Sequence, residues 1–256
     1  MAALISVYSG YVALAFLPPL IWLLFYLHED RHPEPKHLLL LTFIAGIVSA
    51  IAAVAAELAF FGRPPVFAGF FYRAYPRLLA FPSIVFLGVG LIEEYLKYAA
   101  VRLVALSRRA FDEPVDAMIY LIAAALGFAA IENVFFIVPL VESSFAGRLE
   151  LAAFTGGVEL TASRFLGANL LHALSSAIVG YAVARHHFSP YRRHAIAIGV
   201  IVAGTLHALF NYFIISRDTI PPAILLIILL LVLMAAVVFV DFERLKRREI
   251  KAEIGK

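Results

Sequence analysis

The sequence has no cysteine and few charges, and both absences restrict the class of protein. Without cysteine, neither disulfides nor thiolate metal sites are possible. Charged residues make up 15% of the 256 residues, against about 25% in soluble domains. The net charge of +3 does not indicate nucleic-acid binding. The N-terminus lacks the basic region of a secretory signal, so its apolar segment is predicted to be a retained membrane span.

What the sequence has instead is long apolar segments. Hydrophobic residues make up 63% of the chain, and the mean hydropathy is +0.92. The apolar runs are roughly 20 residues long, the length that crosses a bilayer as a helix, and they lack the alternation of strands. The predicted fold is an all-α polytopic membrane bundle of about seven transmembrane helices, near residues 9–27, 38–61, 80–106, 115–140, 166–185, 195–215 and 221–241.

The distribution of Lys and Arg predicts the orientation of this bundle. With the N-terminus outside, thirteen Lys and Arg residues lie in cytoplasmic segments and six on the opposite side. The positive-inside rule therefore favours an N-out, C-in protein of the cell (plasma) membrane. Six basic residues lie between Arg244 and Lys256. We expect residues 242–256 to be a basic cytoplasmic tail that contacts anionic lipid headgroups.

Four successive predicted spans contain polar residues that lipid would not tolerate. The third span has Glu93, Glu94 and Lys97 near its middle. Each charge costs about 2.5–3.5 kcal/mol at the bilayer centre, so these side chains should face the protein interior or water. Glu93 and Lys97 lie four residues apart and share a helix face, which allows them to pair. The next three spans contribute Glu132 and Asn133, then His172, then His207 and Asn211.

The depths of these residues predict a single site. At 1.5 Å per residue, all fall between the bilayer midplane and its outer third. Glu57 of the second span should lie at the outer edge, in contact with water. Residues 142–165 contain Gly156 and Gly157 together with several charges, and should not span the membrane. This stretch is either an ordinary linker or a partly helical outer loop or lid.

Adjacent glutamates in a sheltered cavity suit acid–base chemistry. One can accept a proton from water and return it to a leaving amine, while His and Asn donors stabilise an oxyanion. This set of residues suits hydrolysis of a peptide bond in or near the membrane. No Gly-x-Ser-Gly or Gly-x-Gly-Asp motif is present. A His-Glu-x-x-His string runs from His28 to His32, but Pro33 disfavours the helix that zinc binding would require.

The ordered motifs resemble the PrsW family of intramembrane proteases, within the superfamily of the CAAX prenyl endopeptidases. The resemblance covers about residues 22–215. It rests on the first-loop residues Asp30-Arg31 and Pro33-Glu34-Pro35, Glu93-Glu94-x-x-Lys97, Phe111-Asp112-Glu113 with Asp116 and Tyr120, Gly127-Phe128-x-x-x-Glu132-Asn133, His172 with Gly180, and His207-x-x-x-Asn211.

The resemblance implies a role for each catalytic candidate. Glu93 and Glu94 activate water, Glu132 and His172 complete the polar cluster, and His207 with Asn211 polarises the scissile carbonyl. Lys97 and Asn133 are supporting residues. The resemblance favours a glutamic-type peptidase without a cofactor, although the family was long classed as metalloproteases. If zinc is present, the candidate ligands are His172, His207, Glu94 and Glu132.

The predicted protein is a single membrane protease domain over residues 1–256, with its core at about 80–215. Its expected partner is a single-span membrane protein, and by resemblance a membrane-anchored anti-sigma factor. Two other interpretations remain open. The buried charges could form a proton or ligand relay in a non-enzymatic transporter or receptor, or the chain could be a catalytically idle scaffold on the protease fold.

Overall fold

A computed structural model describes residues 2–29, 32–62, 73–74, 81–146, 150–185 and 191–254. In this part of the chain we distinguish eight α-helices and no strand. In chain order they are α1 Ala2–Leu27, α2 Lys36–Phe61, α3 Pro82–Val104, α4 Pro114–Ala146, α5 Glu150–Leu166, α6 Ala168–Arg185, α7 Arg192–Ile215 and α8 Ala223–Ile254.

All seven predicted spans are helices, which confirms the all-α membrane fold. Among the described residues, six segments are long and apolar enough to cross a bilayer. The predicted third span, α3, is a 23-residue helix that contains Glu93, Glu94 and Lys97 as well as Arg102. These charged residues distinguish α3 from the six apolar segments. The N-out, C-in orientation stays a prediction.

The most deeply buried helix is α4, which packs against α1, α2 and α6. Its residues 117–126 have at most 1% of their surface exposed. The close approach of α2 to α4 depends on two glycines. A Cβ at Gly46 would overlap the main-chain oxygen of Ala124, and a Cβ at Gly127 would overlap that of Phe43. Small residues let membrane helices approach closely in this way.

The Gly127→Ala variant is expected to lower the free energy of unfolding by roughly 1–3 kcal/mol, because its Cβ has no space against the backbone of α2. Thermal unfolding in detergent measures the effect. The matched control is Gly10→Ala, since a Cβ at Gly10 would have no neighbour within 4 Å. Equal melting temperatures for the two variants would contradict the packing argument.

The described part of the stretch 142–165 is helical. Helix α4 continues to Ala146, and α5 occupies Glu150–Leu166, separated from α6 by Gly167 alone. The indole Nε1 of Trp22 in α1 donates a hydrogen bond to the main-chain oxygen of Phe165, at 2.8 Å. This contact and one from Arg164, described below, attach the end of α5 to the bundle.

The basic tail is also helical: α8 continues without interruption to Ile254. Lys246 of α8 lies 2.5 Å from the carboxylate of Glu29, just after α1. His32 in the loop before α2 lies 2.6 Å from Glu113 in the loop before α4. These contacts place both loops and the C-terminal part of α8 at the same end of the bundle.

Candidate active site

The polar residues of α3, α4, α6 and α7 meet inside the bundle. We use the name polar cluster for Glu93, Glu94, Lys97, Glu132, His172 and His207. Five of the six are buried, with Glu94 and Lys97 fully inaccessible, while the Glu132 side chain is 23% exposed. The structure therefore brings the sequence-predicted side chains of four helices into one site.

Glu94 is the most fully hydrogen-bonded carboxylate of the polar cluster. Its Oε1 accepts from Lys97 Nζ at 2.8 Å, from Ser175 Oγ at 2.9 Å and from His207 Nδ1 at 2.9 Å. Its Oε2 accepts from Ser176 Oγ at 2.9 Å. Both oxygens are thus occupied, and the ring of His207 is oriented so that its Nε2 is left for other groups.

His172 is held between a cation and a carboxylate. Lys97 Nζ lies 2.8 Å from His172 Nδ1, and His172 Nε2 lies 2.9 Å from Glu132 Oε2. An ammonium group can only donate, so Nδ1 accepts and the ring proton lies on Nε2. Lys97 Nζ also lies 2.8 Å from Glu94 Oε1 and 3.6 Å from Glu93 Oε2, so it is closer to Glu94 than to its predicted partner Glu93.

Glu93 differs from its neighbour because one of its oxygens has no hydrogen-bond partner. Among the described side chains, Glu93 Oε2 is a buried atom without such a bond. It lies 3.6 Å from His207 Nε2 and 3.9 Å from His172 Nδ1. A buried carboxylate oxygen without a partner is energetically unfavourable. Glu93 thus has a buried acceptor oxygen that no described side chain uses in a hydrogen bond.

Arg164 of α5 is a site residue that the sequence analysis missed. It forms an ion pair with Glu132 and donates to the side-chain oxygen of Asn133. Asn133 donates in turn to Asn169 Oδ1 at 3.1 Å and to the main-chain oxygen of Ala15 at 2.9 Å. This network joins α1, α4, α5 and α6 around Glu132.

Arg164 lies eight residues before His172. If the helix of His172 is assumed to extend toward the N-terminus, Arg164 lies about two turns away and can be recognised as a neighbour of the site. The glycine pair and charges of 142–165 indicated a linker instead. No site role was assigned to Ser175 and Ser176 from the sequence. Their positions three and four residues after His172 place them on its helix face, and the structure shows them bonded to Glu94.

Asn211 lies one turn after His207 on α7 and is half-buried. The structure shows no hydrogen bond from its amide to another described residue. Glu57, which we expected in water at the outer edge, is half-buried and interacts electrostatically with Glu93, Glu132 and Lys97.

Other parts of the resemblance lie far from the polar cluster. Asp116 Oδ2 accepts from the backbone N–H groups of Asp112 and Glu113, at 3.0 and 2.8 Å, and Tyr120 donates to Glu34. Asp116 precedes Glu132 by sixteen residues of α4, about 24 Å. Asp30 and Arg31 of the first loop lie outside the described residues.

A metal ion could be held by three donors of the polar cluster. Oxygen of Glu93 and nitrogens of His172 and His207 lie within 4.8 Å of one another. This set fits catalytic zinc, which takes three protein ligands, and the unpartnered Glu93 oxygen supports the fit. This ligand set contains Glu93, whereas the predicted zinc ligands included Glu94 and Glu132. For His172 to bind a metal through Nδ1, Lys97 would have to move away from that nitrogen. His28 and His32 belong to no such group among the described side chains.

A helical bundle with carboxylates, imidazoles and an ammonium group gathered inside its spans defines a polytopic membrane protein with an intramembrane polar site. Comparison with known families gives the particular class. The family described as PrsW family intramembrane metalloprotease matches residues 34–240. The chain belongs to the PrsW family and is an intramembrane protease.

Relatives named Protease PrsW support this assignment. The protein of Geobacillus kaustophilus is 25% identical over 196 residues, which cover 76% of this chain and 74% of the relative. That of Bacillus subtilis is 25% identical over 192 residues, 74% and 75% of the two chains. That of Clostridioides difficile is 27% identical over 206 residues, 78% and 77%. No solved structure matches the chain.

Proposed function

We propose that this protein hydrolyses a peptide bond in or next to the transmembrane segment of a membrane-anchored, single-span protein of the cell membrane. The observation that carries the proposal is the difference between the two adjacent glutamates. Glu94 accepts hydrogen bonds from four donors, whereas Glu93 has a buried oxygen without a hydrogen-bond partner. Glu93 is the general base, and Glu94 positions Lys97 and His207.

The reaction needs one proton transfer in each direction. Glu93 accepts a proton from water, and the water oxygen forms a bond to the scissile carbonyl carbon. The C–N bond then breaks, and Glu93 returns the proton to the leaving amine. The Asn211 amide, which lies one turn from His207, polarises the carbonyl oxygen together with the Nε2 side of the His207 ring.

The test uses purified protein in detergent and a membrane-anchored anti-sigma factor, the substrate class that the family resemblance implies. We expect the wild type to cleave the anti-sigma factor in or near its transmembrane span. Each of the variants Glu93→Ala, Glu94→Ala and His207→Ala is expected to lose this cleavage. Asp218→Ala is the control, because that side chain is 89% exposed and lies in the loop after α7, eleven residues beyond His207. Full cleavage by all three cluster variants would refute the site.

A zinc-dependent form of the same protease is the second candidate, favoured by the convergence of Glu93, His172 and His207. A bound zinc ion would supply Lewis-acid polarisation at this site. We expect a glutamic-type enzyme to retain its cleavage rate after dialysis against a chelator. Loss of activity that added zinc restores would instead establish the metal-dependent form.

A further inference from the structure

A groove on the lipid-facing side of α3 and α7 is separate from the polar cluster. It consists of two adjoining cavities, of 310 and 400 Å³. Both are lined by the last turns of α3 and the first turns of α7, and they share Tyr98, Arg102, Arg193 and Ile196. We call this feature the α3–α7 groove.

The groove exists because α3 and α7 are in closest contact at a pair of glycines. A Cβ at Gly90 would overlap the main-chain oxygen of Gly204. Arg102 lies twelve residues beyond Gly90, and Arg193 lies eleven residues before Gly204, so the groove is about 17 Å along the helices from this contact. The arginines are therefore at the helix ends, at the level of the membrane interface.

The two halves of the groove differ in character. The interfacial half is lined by Arg102, Arg192 and Arg193 together with the hydroxyl residues Tyr98 and Ser107. None of the three arginines forms an ion pair with a described carboxylate. The N-terminus of α7, which starts at Arg192 and has no side-chain cap, adds partial positive charge.

The other half of the groove is apolar and open to lipid. It is lined by Tyr95, Ala197, Val200 and Ile201, and the side chains of Tyr95 and Ile201 are 57% and 55% exposed. This apolar lining adjoins the guanidinium groups at the helix ends, an arrangement that matches the acyl chain and the phosphate of one phospholipid.

We propose that the α3–α7 groove binds one anionic phospholipid, with its phosphate on the three guanidinium groups and an acyl chain along Tyr95, Val200 and Ile201. This site is distinct from the predicted contact of the basic α8 tail with headgroups. The bound lipid contacts the outer faces of the helices that carry Glu93 and His207. It is therefore expected to stabilise the packing of α3 on α7.

The test is native mass spectrometry of the full chain, purified in neutral detergent and mixed with phosphatidylglycerol or phosphatidylcholine. We expect one retained phosphatidylglycerol, preferred over phosphatidylcholine by at least about tenfold. Arg102→Gln with Arg193→Gln should remove most of this preference. Arg247→Gln with Arg248→Gln is the matched control, because it removes the same charge from exposed positions of α8 and should retain the lipid.

Several outcomes would overturn the proposal. Equal retention of both lipids, unchanged retention in the groove variant, or equal loss in both double variants would each exclude a specific site. Displacement of phosphatidylglycerol by excess inorganic phosphate would reduce the feature to an anion site without a lipid chain. Displacement by a soluble acidic peptide would assign the groove to a peptide. Both double variants are checked for unchanged thermal unfolding in phosphatidylcholine.

Discussion

Replacing Glu93 by glutamine is expected to lower the cleavage rate by about 10³-fold, because the amide cannot accept a proton from water. Stability should not fall. The Glu93 oxygen that has no hydrogen-bond partner is buried, and replacing the carboxylate by a neutral amide removes the cost of burying its charge. We therefore expect a variant that unfolds at the same temperature as the wild type or higher, yet does not cleave.

Glu94→Gln is the matched variant at the adjacent position. Glu94 accepts from four donors, and a glutamine amide nitrogen cannot accept any of them. At least one buried donor would lose its partner, at a cost of about 1–3 kcal/mol. Glu94→Gln should therefore unfold at a lower temperature than Glu93→Gln.

Cleavage and thermal unfolding, measured on the same preparations, separate the two roles. A Glu93→Gln protein that cleaves at the wild-type rate would remove Glu93 as the general base. A Glu94→Gln protein as stable as Glu93→Gln would show that the two carboxylates are not distinguished by their hydrogen bonds.

Arg164→Met is expected to destabilise the protein by about 3–5 kcal/mol, because it leaves Glu132 without its cation in a largely buried position. The side chains of Arg164 and Glu132 are 10% and 23% exposed. The control is Arg217→Met. Arg217 pairs with Asp218 at 3.8 Å, where the two side chains are 60% and 89% exposed, and such pairs contribute about 0–1 kcal/mol.

A double variant tests whether the loss arises from the uncompensated charge. Glu132→Gln in the Arg164→Met background removes the charge but keeps an oxygen for His172 Nε2, so it should recover much of the lost stability. Unfolding by heat or denaturant in detergent measures the coupling. Additive effects of the two substitutions, or a loss no larger than in Arg217→Met, would contradict a structural ion pair at this position.

Apolar runs and their length were sufficient to predict seven of the helices. A buried span leaves a strong signal, because lipid requires both apolar side chains and internally bonded backbone. A helix at α5 was one of two alternatives that the sequence left open, since its glycine pair and charges are also typical of a linker when the contacts of Trp22 and Arg164 are unknown. Tertiary contacts stabilise this helix at its end nearest α6.

The amino-acid sequence by itself determined that the chain is a membrane helix bundle and that its charged and imidazole side chains must face the protein interior or water. Their spacing placed them at similar depth, because depth follows from the helical rise alone. The tertiary structure decided which of them are partners. Lys97 Nζ lies closer to Glu94 than to Glu93. Glu94 also accepts hydrogen bonds from Ser175, Ser176 and His207, which belong to α6 and α7. Helix packing, which no local spacing encodes, therefore gives the two adjacent glutamates different hydrogen-bond partners, and the proposed roles of Glu94 as positioning residue and Glu93 as general base rest on this difference.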